Sequence, residues 1–262
     1  MTVVDEYLAE LREQQDAQDM NPYLNVLLIG PAGCGKTTLA ATAPKPVILH
    51  SFDPRGTTGI RNVPDVLIDT RFESERQDQP SAYRKWEEEF KRMHLMGVFE
   101  EIGTYVIDSF TFWCEAALNE AAGRVRVSSG KKGHGLAHYK IMKNMISYAF
   151  RNMALLPCHT VLTGHMQLVR EELTSRTQAE LYGQGQQVKI EVPVIASETW
   201  FIDVNPVSQE RSLIVDFQGW FTAKTKVLSG KGPVIDIMDI TKLIELAREE
   251  GNLPTPKLRE TE

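Results

Sequence analysis

Short apolar runs that end in a polar residue recur along the chain and predict a buried sheet. Four such runs occupy residues 26–29, 47–52, 104–107 and 159–163. Continuous apolar runs of this length are typical of parallel strands whose two faces are both covered. Apolar positions at helical spacing lie between them, as in the stripe that begins at Tyr83 and Trp86. The pattern therefore predicts an α/β fold with a mainly parallel central sheet flanked by helices.

The last third of the chain has a different pattern, with more turns between the runs. Residues 199–204 predict a strand, and residues 188–194 alternate in part, which is a weaker sign of another. Two further runs, 212–217 and 220–227, flank Gln218-Gly219 and predict a hairpin. These signs place antiparallel strands at the C-terminal edge of the sheet.

We expect a single core domain between two smaller segments. Residues 1–20 contain an acidic helix, and residues 251–262 have the composition of a flexible tail. Residues 21–250 make up the core. Two irregular segments are expected within it, at 123–135 and 166–187. The first contains mostly glycine, serine and basic residues, which cannot bury a core.

A phosphate-binding loop follows the first apolar run directly. Its sequence is Gly30-Pro31-Ala32-Gly33-Cys34-Gly35-Lys36-Thr37, followed by Thr38, and it satisfies the pattern G-x-x-x-x-G-K-[ST] between a strand and a helix. In such a loop the backbone amides surround phosphate oxygens. Lys36 neutralises the β- and γ-phosphates, and the Thr37 hydroxyl ligates Mg²⁺. Residues 30–38 therefore predict a site for ATP and Mg²⁺.

An acid at the end of a later strand is the second candidate for the same site. Residues 104–107 form an apolar run that ends in Asp108. Any strand can end in an acid, but an acid that follows a phosphate loop in this order matches the Walker B pattern. We therefore expect the Asp108 carboxylate to hold Mg²⁺ opposite Thr37.

The charge is unevenly distributed along the chain. The net charge is −6, yet residues 121–170 contain no Asp or Glu and carry eight basic residues. These are Arg124, Arg126, Lys131, Lys132, Lys140, Lys143, Arg151 and Arg170. A segregated basic region on an acidic protein is typical of a polyanion site. The alternatives are a solvated patch and a face that docks an acidic protein.

Several classes of protein are disfavoured by the composition. No apolar run approaches the roughly 20 residues that a membrane span needs, and the N-terminus lacks the pattern of a secretion signal. The three cysteines, Cys34, Cys114 and Cys158, are far apart and form no C-x-x-C motif. Neither a disulfide framework nor a zinc site is indicated. We expect a cytoplasmic protein without a membrane partner.

The order of these features resembles that of a known family. The chain resembles the core of RecA-like recombinase ATPases in the order of its elements. These are a strand with a phosphate loop, a strand that ends in an acid, the strand that ends in Asp108, a basic glycine loop, a strand that ends at His165 and a final Lys-x-Lys. More narrowly, the chain is similar to the core-only RecA-like ATPases of bacteriophages and prophages that act in single-strand annealing and recombination. The resemblance implies a RecA-like P-loop NTPase core.

The resemblance also implies roles for four more residues. Asp53 stands where the family usually has a Glu that orients the attacking water, and His165 stands where a polar residue senses the γ-phosphate. Lys224 and Lys226 correspond to a pair that reaches a neighbouring subunit's nucleotide. Each has a simpler alternative. Asp53 caps a turn, His165 is a hydrogen-bonded strand end, and the lysines protect a sheet edge.

Two loops correspond to the DNA-facing loops of the family, at 123–135 and 166–187. The basic candidates for DNA contacts are Arg124, Arg126, Lys131, Lys132 and Lys140. The implied function is a Mg²⁺-dependent ATPase that binds single-stranded DNA in phage-type recombination, annealing or repair. It forms a ring or filament of identical subunits, with a single-strand-binding protein as a further partner, in the cytoplasm of a phage-infected or prophage-bearing bacterium. The alternatives are a P-loop kinase and a nucleotide-dependent switch or motor that acts on a protein.

Overall fold

The computed structural model describes residues 3–18, 21–75, 79–124, 134–170 and 177–256. The strands in these ranges are β1 Asn25–Gly30, β2 Val47–Ser51, β3 Val66–Asp69, β4 Thr104–Asp108, β5 His159–Arg170, β6 Thr177–Tyr182, β7 Glu198–Val204, β8 Arg211–Ile214 and β9 Val234–Ile235. They form one sheet in the order β3-β2-β4-β5-β1-β7-β8-β9, with β6 paired to β5. The pairs from β3 to β7 are parallel, and β8 and β9 extend the sheet as antiparallel strands. The predicted fold class is confirmed.

Helices cover both faces of this sheet. They are α1 Val3–Gln18, α2 Lys36–Ala40, α3 Ala82–Leu95, α4 Val98–Glu101, α5 Phe110–Arg124, α6 Leu136–Met153, α7 Gln186–Ile195 and α8 Ile240–Glu249. In the described ranges, none of them combines the length and the apolar character that a bilayer crossing requires. Helix α1 confirms the helix expected in the first 20 residues.

The central strand β1 contributes to two separate apolar cores. Its Leu27 and Ile29 pack with the cluster that contains Trp86, Trp113 and Phe150 from α3, α5 and α6. Its Val26 and Leu28 face the other side, in the cluster formed with α2 and α8. Alternate side chains of a strand point to opposite faces, so a strand buried on both must be apolar throughout. This explains why the run from 26 to 29 is continuous.

The weak strand expected at 188–194 is wrong, because this segment is helix α7. A strand would put Val188, Ile190, Val192 and Val194 on one face. Instead Val188 and Val192, four residues apart, are fully buried, whereas Ile190 and Val194 are 67% and 74% exposed. The buried positions repeat with the period of a helix and decide the conformation.

Residues 166–170 and 177–187 are more regular than expected. Strand β5 does not end at His165 but continues to Arg170, and its second half pairs antiparallel with β6, in a register that sets His165 opposite Tyr182. Only the turn of the predicted hairpin at 212–227 is found: Gln218 and Phe221 exchange backbone hydrogen bonds, but the two flanking runs do not pair with each other. Strand β8 pairs with β7 and β9, and residues 220–227 form isolated bridges such as that between Thr199 and Lys224.

Candidate nucleotide-binding site

The phosphate loop connects the central strand β1 to helix α2. Gly30 is the last residue of β1, and Lys36 is the first residue of α2. Gly35 has φ of 101°, a conformation that residues with a Cβ rarely adopt. A Cβ on Gly30 would lie 2.6 Å from the Sγ atom of Cys34, so the loop closes tightly upon its own strand. The glycines that define the sequence motif are therefore required by the backbone.

The Lys36 side chain lies over the loop and is almost completely buried. Its Nζ atom donates hydrogen bonds to the carbonyl oxygens of Pro31, at 2.8 Å, and Gly30, at 3.1 Å. Desolvation lowers the pKa of Lys36, although the charges of Cys34, Asp108 and Asp53 oppose the shift. A buried cation whose hydrogen-bond partners in the described part of the chain are two neutral carbonyls is well placed to bind an anion, because anionic acceptors form stronger hydrogen bonds.

Asp108 receives hydrogen bonds at both carboxylate oxygens. Thr37 Oγ1 donates to Oδ2 at 2.7 Å, and the hydroxyl of Thr163, on β5, donates to Oδ1. The backbone carbonyl of Asp108 also accepts from the amides of Phe52, at 2.6 Å, and Asp53, at 3.2 Å. Asp108 is only 2% exposed. The neighbouring hydroxyl and carboxylate are oxygen donors of the type that Mg²⁺ prefers, so these residues fit the predicted metal.

Asp53 lies beside this cluster, at the end of β2. Its pKa is raised by burial first and by the negative charge of Asp108 second, while Lys36 opposes the rise. The backbone carbonyl of Asp53 accepts from the Gly56 amide at 2.9 Å, which forms the expected turn. Among the described residues, the Asp53 carboxylate accepts no hydrogen bond from that turn. Its oxygens are therefore not engaged in capping.

His165 connects the cluster to β6 through Thr111. The Thr111 hydroxyl donates to the Tyr182 carbonyl at 3.0 Å and lies 3.1 Å from His165 Nδ1. A hydroxyl has one hydrogen and a carbonyl can only accept, so Nδ1 must carry the proton in this pair. Burial, followed by the charge of Lys36, lowers the pKa of His165. The neutral imidazole therefore keeps Nε2 as an acceptor.

Lys224 and Lys226 do not share a strand face. Lys224 Nζ donates to the carbonyls of Pro193, at 2.9 Å, and Ala196, at 2.6 Å, at the end of α7. Desolvation is the main cause that lowers the pKa of Lys224. Lys226 is exposed. In the part of the chain that the structure describes, neither side chain hydrogen-bonds to the phosphate loop of its own subunit.

The candidate DNA contacts have different environments. Arg124, at the end of α5, forms ion pairs with Glu120 at 3.0 Å and Glu87 at 3.7 Å. Lys140 is exposed on the second turn of α6. Arg126, Lys131 and Lys132 lie outside the described residues, as does most of the basic glycine loop.

Three residues of the site carry no recognisable sequence signal. Thr163 and Thr111 hold Asp108 and His165, but each looks like an ordinary polar residue in an apolar segment. Arg211, on β8, donates from Nε to the carbonyl of Cys34 at 2.9 Å. It is distant in sequence from the loop that it contacts, and no motif contains it.

The chain matches a known protein family over most of its length. The family AAA_24, described as an AAA domain, matches residues 23–227, which include the phosphate loop, Asp108, His165 and Arg211. No curated protein matches the chain. Among solved structures, a KaiC-like protein from the hyperthermophilic archaeon Pyrococcus horikoshii OT3 is similar, with 17% sequence identity and a TM-score of 0.37. The match covers 73% of this chain and 77% of that one.

Proposed function

Since the chain belongs to the AAA domain family of P-loop ATPases, we propose that it hydrolyses ATP with Mg²⁺ and binds single-stranded DNA. The DNA-bound form serves phage-type recombination, annealing or repair in the cytoplasm of a phage-infected or prophage-bearing bacterium. The observation that carries the DNA half of the proposal is the carboxylate-free basic stretch of residues 121–170. The ATPase half rests on the cluster of Lys36, Thr37, Asp53, Asp108 and His165.

Each residue of the cluster has a defined task in hydrolysis. The phosphates replace the two carbonyls as partners of Lys36, because charged acceptors bind an ammonium group more strongly. Thr37 and Asp108 would hold Mg²⁺, which would offset the negative charge that the phosphates carry. Asp53, whose carboxylate is not engaged in the turn, orients the attacking water and accepts its proton. His165 transmits the state of the site to β6 through Thr111 and Tyr182.

The DNA half depends on the charge around α6. This helix carries Lys140, Lys143 and Arg151 and no acidic residue. Lys143 is paired with Glu191 at 2.6 Å, and Arg124 is paired with Glu120, so these two are partly neutralised. Lys140 is exposed and has no hydrogen-bonded or ion-paired partner among the described residues. It is therefore the described cation best placed to contact a phosphate backbone.

ATP turnover in the presence of single-stranded DNA tests the proposed DNA binding. We expect DNA to stimulate turnover at low salt and the effect to disappear at high salt, because phosphate contacts release counterions. Lys140→Glu should raise the DNA concentration needed for half-stimulation and reduce the salt slope by about 1. Lys85→Glu, an exposed lysine on α3, is the matched control. Turnover that no DNA changes would contradict the DNA half and favour a phosphoryl acceptor or a protein partner.

Association between copies is part of the proposed function. Helix α1 exposes an apolar stripe formed by Val3, Val4, Tyr7, Leu8 and Leu11, each at least 41% exposed. A groove of about 970 Å³ between α3 and α6 is also apolar and includes exposed Tyr148, Leu95 and Leu155. The acidic residues of α1 lie on its opposite side, so the apolar stripe can be buried in the groove while they remain in solvent. The occupant of the groove is thus α1 of a second copy.

Lys226 has a role in the same assembly. Lys224 already donates to two carbonyls at the end of α7, whereas Lys226 is exposed. Lys226 is therefore the member of the pair that is available to the phosphates of a neighbouring subunit, where a cation would neutralise developing charge.

The molar mass in solution tests the assembly. The wild type should increase in mass with concentration, and Leu8→Asp should remain monomeric, because a carboxylate cannot be buried in an apolar groove without a partner. Ala9→Asp places the same charge on the opposite face of α1 and should leave the mass unchanged. Light scattering coupled to size exclusion measures both. A monomeric wild type at all concentrations would exclude this interface.

A further inference from the structure

A small pocket opens beside the phosphate loop, on the side away from Asp108. It has a volume of about 350 Å³ and is lined by Gly35, Thr38, Leu39, Thr42, Arg211 and Met238. Gly35 and Thr38 belong to the loop and the first turn of α2, so the pocket is continuous with the phosphate site. Asp53, Asp108 and His165 do not line it. The pocket therefore lies apart from Asp108, since the sheet order places Arg211 on β8 and Asp108 on β4 on opposite sides of β1.

Arg211 links the wall of this pocket to the loop. Its Nε atom donates to the Cys34 carbonyl at 2.9 Å, and a Cβ on Gly35 would lie 3.6 Å from that same nitrogen. The side chain is exposed. Among the described residues, the two terminal nitrogens of its guanidinium have no hydrogen-bond partner. Arg211 is thus fixed at Nε, with its planar group and remaining donors still available.

Thr42, one of the two threonines that line the pocket, is already engaged. Thr42 Oγ1 donates to the Leu39 carbonyl at 2.7 Å and accepts from the Ile240 amide at 2.8 Å. The Thr42 carbonyl accepts from the Thr241 hydroxyl at 2.7 Å. The lining includes no carboxylate and no side-chain amide among the described residues. Such groups are the usual means of reading the hydrogen-bonding edge of a base.

We propose that this pocket binds the ribose and base of the nucleotide whose phosphates lie in the loop, and that Arg211 positions them. The inference rests on the proposed nucleotide site and extends it to the nucleoside. The guanidinium plane stacks on the base, and Met238 with the aliphatic part of Leu39 supplies the apolar contact. Because the pocket offers few groups that could read a base edge, ATP and GTP bind with similar affinity.

Titration calorimetry with ATP, GTP and inorganic tripolyphosphate distinguishes binding in the pocket from binding in the phosphate loop. Arg211→Ala should weaken ATP binding about tenfold, as expected for a lost stacking and cation–π contact. It should change tripolyphosphate binding less than about twofold, because that ligand occupies only the loop. Arg211→Lys keeps the charge without the plane and should recover only part of the loss. Arg84→Ala, which changes an exposed arginine on α3, is the control.

Three outcomes would overturn the proposal. An equal loss for ATP and tripolyphosphate in Arg211→Ala would mean that Arg211 acts on the phosphates through its charge. Unchanged ATP binding would remove Arg211 from the site. A preference of more than about fiftyfold for one purine would show that hydrogen bonds read the base. A wild type that binds tripolyphosphate but gains nothing from the nucleoside would overturn the pocket alone, whereas one that binds neither ligand would overturn the nucleotide site as well.

Discussion

Replacing Lys36 with methionine is expected to lower ATP turnover by about 10²- to 10³-fold and leave the nucleotide-free protein at least as stable as the wild type. The two effects have one cause. Lys36 is 7% exposed, and among the described residues its ammonium group has only the carbonyls of Gly30 and Pro31 as hydrogen-bond partners. Burial lowers its pKa, so the charged lysine is less favourable in the folded protein than in the unfolded chain. Methionine removes that charge and still fills the space.

Nucleotide binding reverses the effect of the Lys36 charge on stability. The charge that is unfavourable in the empty loop becomes favourable once phosphates surround it, and transition-state charge adds to the benefit. Removing one preorganised donor of this kind typically lowers turnover by about 10²- to 10³-fold. Lys36→Met should also lose the stabilisation by ATP, which is about 2.7 kcal/mol for a ligand at one hundred times its Kd.

Thermal unfolding with and without ATP, together with phosphate release, measures both effects. Lys45→Met is the control, because the exposed Lys45 also donates to a backbone carbonyl, that of Ala41 at 2.5 Å, and also has a pKa lowered by desolvation. It lies outside the loop, so its variant should keep ATP binding. Nucleotide-dependent stabilisation that persists in Lys36→Met would show that the loop binds phosphate without this lysine.

The residues of the candidate site that could be predicted from the sequence are those whose chemistry requires a fixed pattern of neighbouring residues. A phosphate loop needs its glycines, lysine and hydroxyl within eight consecutive positions, so residues 30–37 could be recognised directly. Asp108 could be found because a buried parallel strand ends at the edge of the sheet where ligands bind. The burial of both faces of β1 could likewise be predicted from its uninterrupted apolar run.

Contacts between distant segments could not be predicted in this way. Strand β5 contains Thr160 and Thr163, which look equivalent in sequence, but only the sheet register brings Thr163 to Asp108. Arg211 reaches the loop because β8 lies two strands from β1. Lys224 was assigned to a strand, whereas its side chain caps α7. In each case the deciding contact joins residues far apart in the chain.

Thr163→Val is expected to impair both stability and turnover, although it changes the shape of the side chain very little. The Thr163 hydroxyl is fully buried and donates to Asp108 Oδ1. Valine would leave that oxygen buried with no donor, and Thr37 would be the remaining side chain that holds the carboxylate. A lost hydrogen bond to a charged group costs about 1.5–3 kcal/mol. We expect a decrease of about 2 kcal/mol in the free energy of unfolding.

The catalytic effect follows from the position of the carboxylate. Thr163 is a positioning residue, because it acts on Mg²⁺ through Asp108, and loss of such a partner typically lowers metal affinity or activity by about 10- to 100-fold. Thr163→Val should therefore need more Mg²⁺ for half-maximal turnover. Thr163→Ser retains the hydroxyl and should restore the wild-type dependence on Mg²⁺ even if its packing is slightly worse.

Thr160→Val provides the comparison that distinguishes this role from simple packing. Thr160 lies on the same strand and is 1% exposed, but its Oγ1 has no hydrogen-bond partner among the described residues. The same substitution there removes an unsatisfied hydroxyl, so we expect unchanged or slightly increased stability and unchanged turnover. Urea unfolding and a Mg²⁺ titration of turnover measure the pair. If Thr163→Val behaves like Thr160→Val in both, Asp108 is held without Thr163, and the second donor is not part of the site.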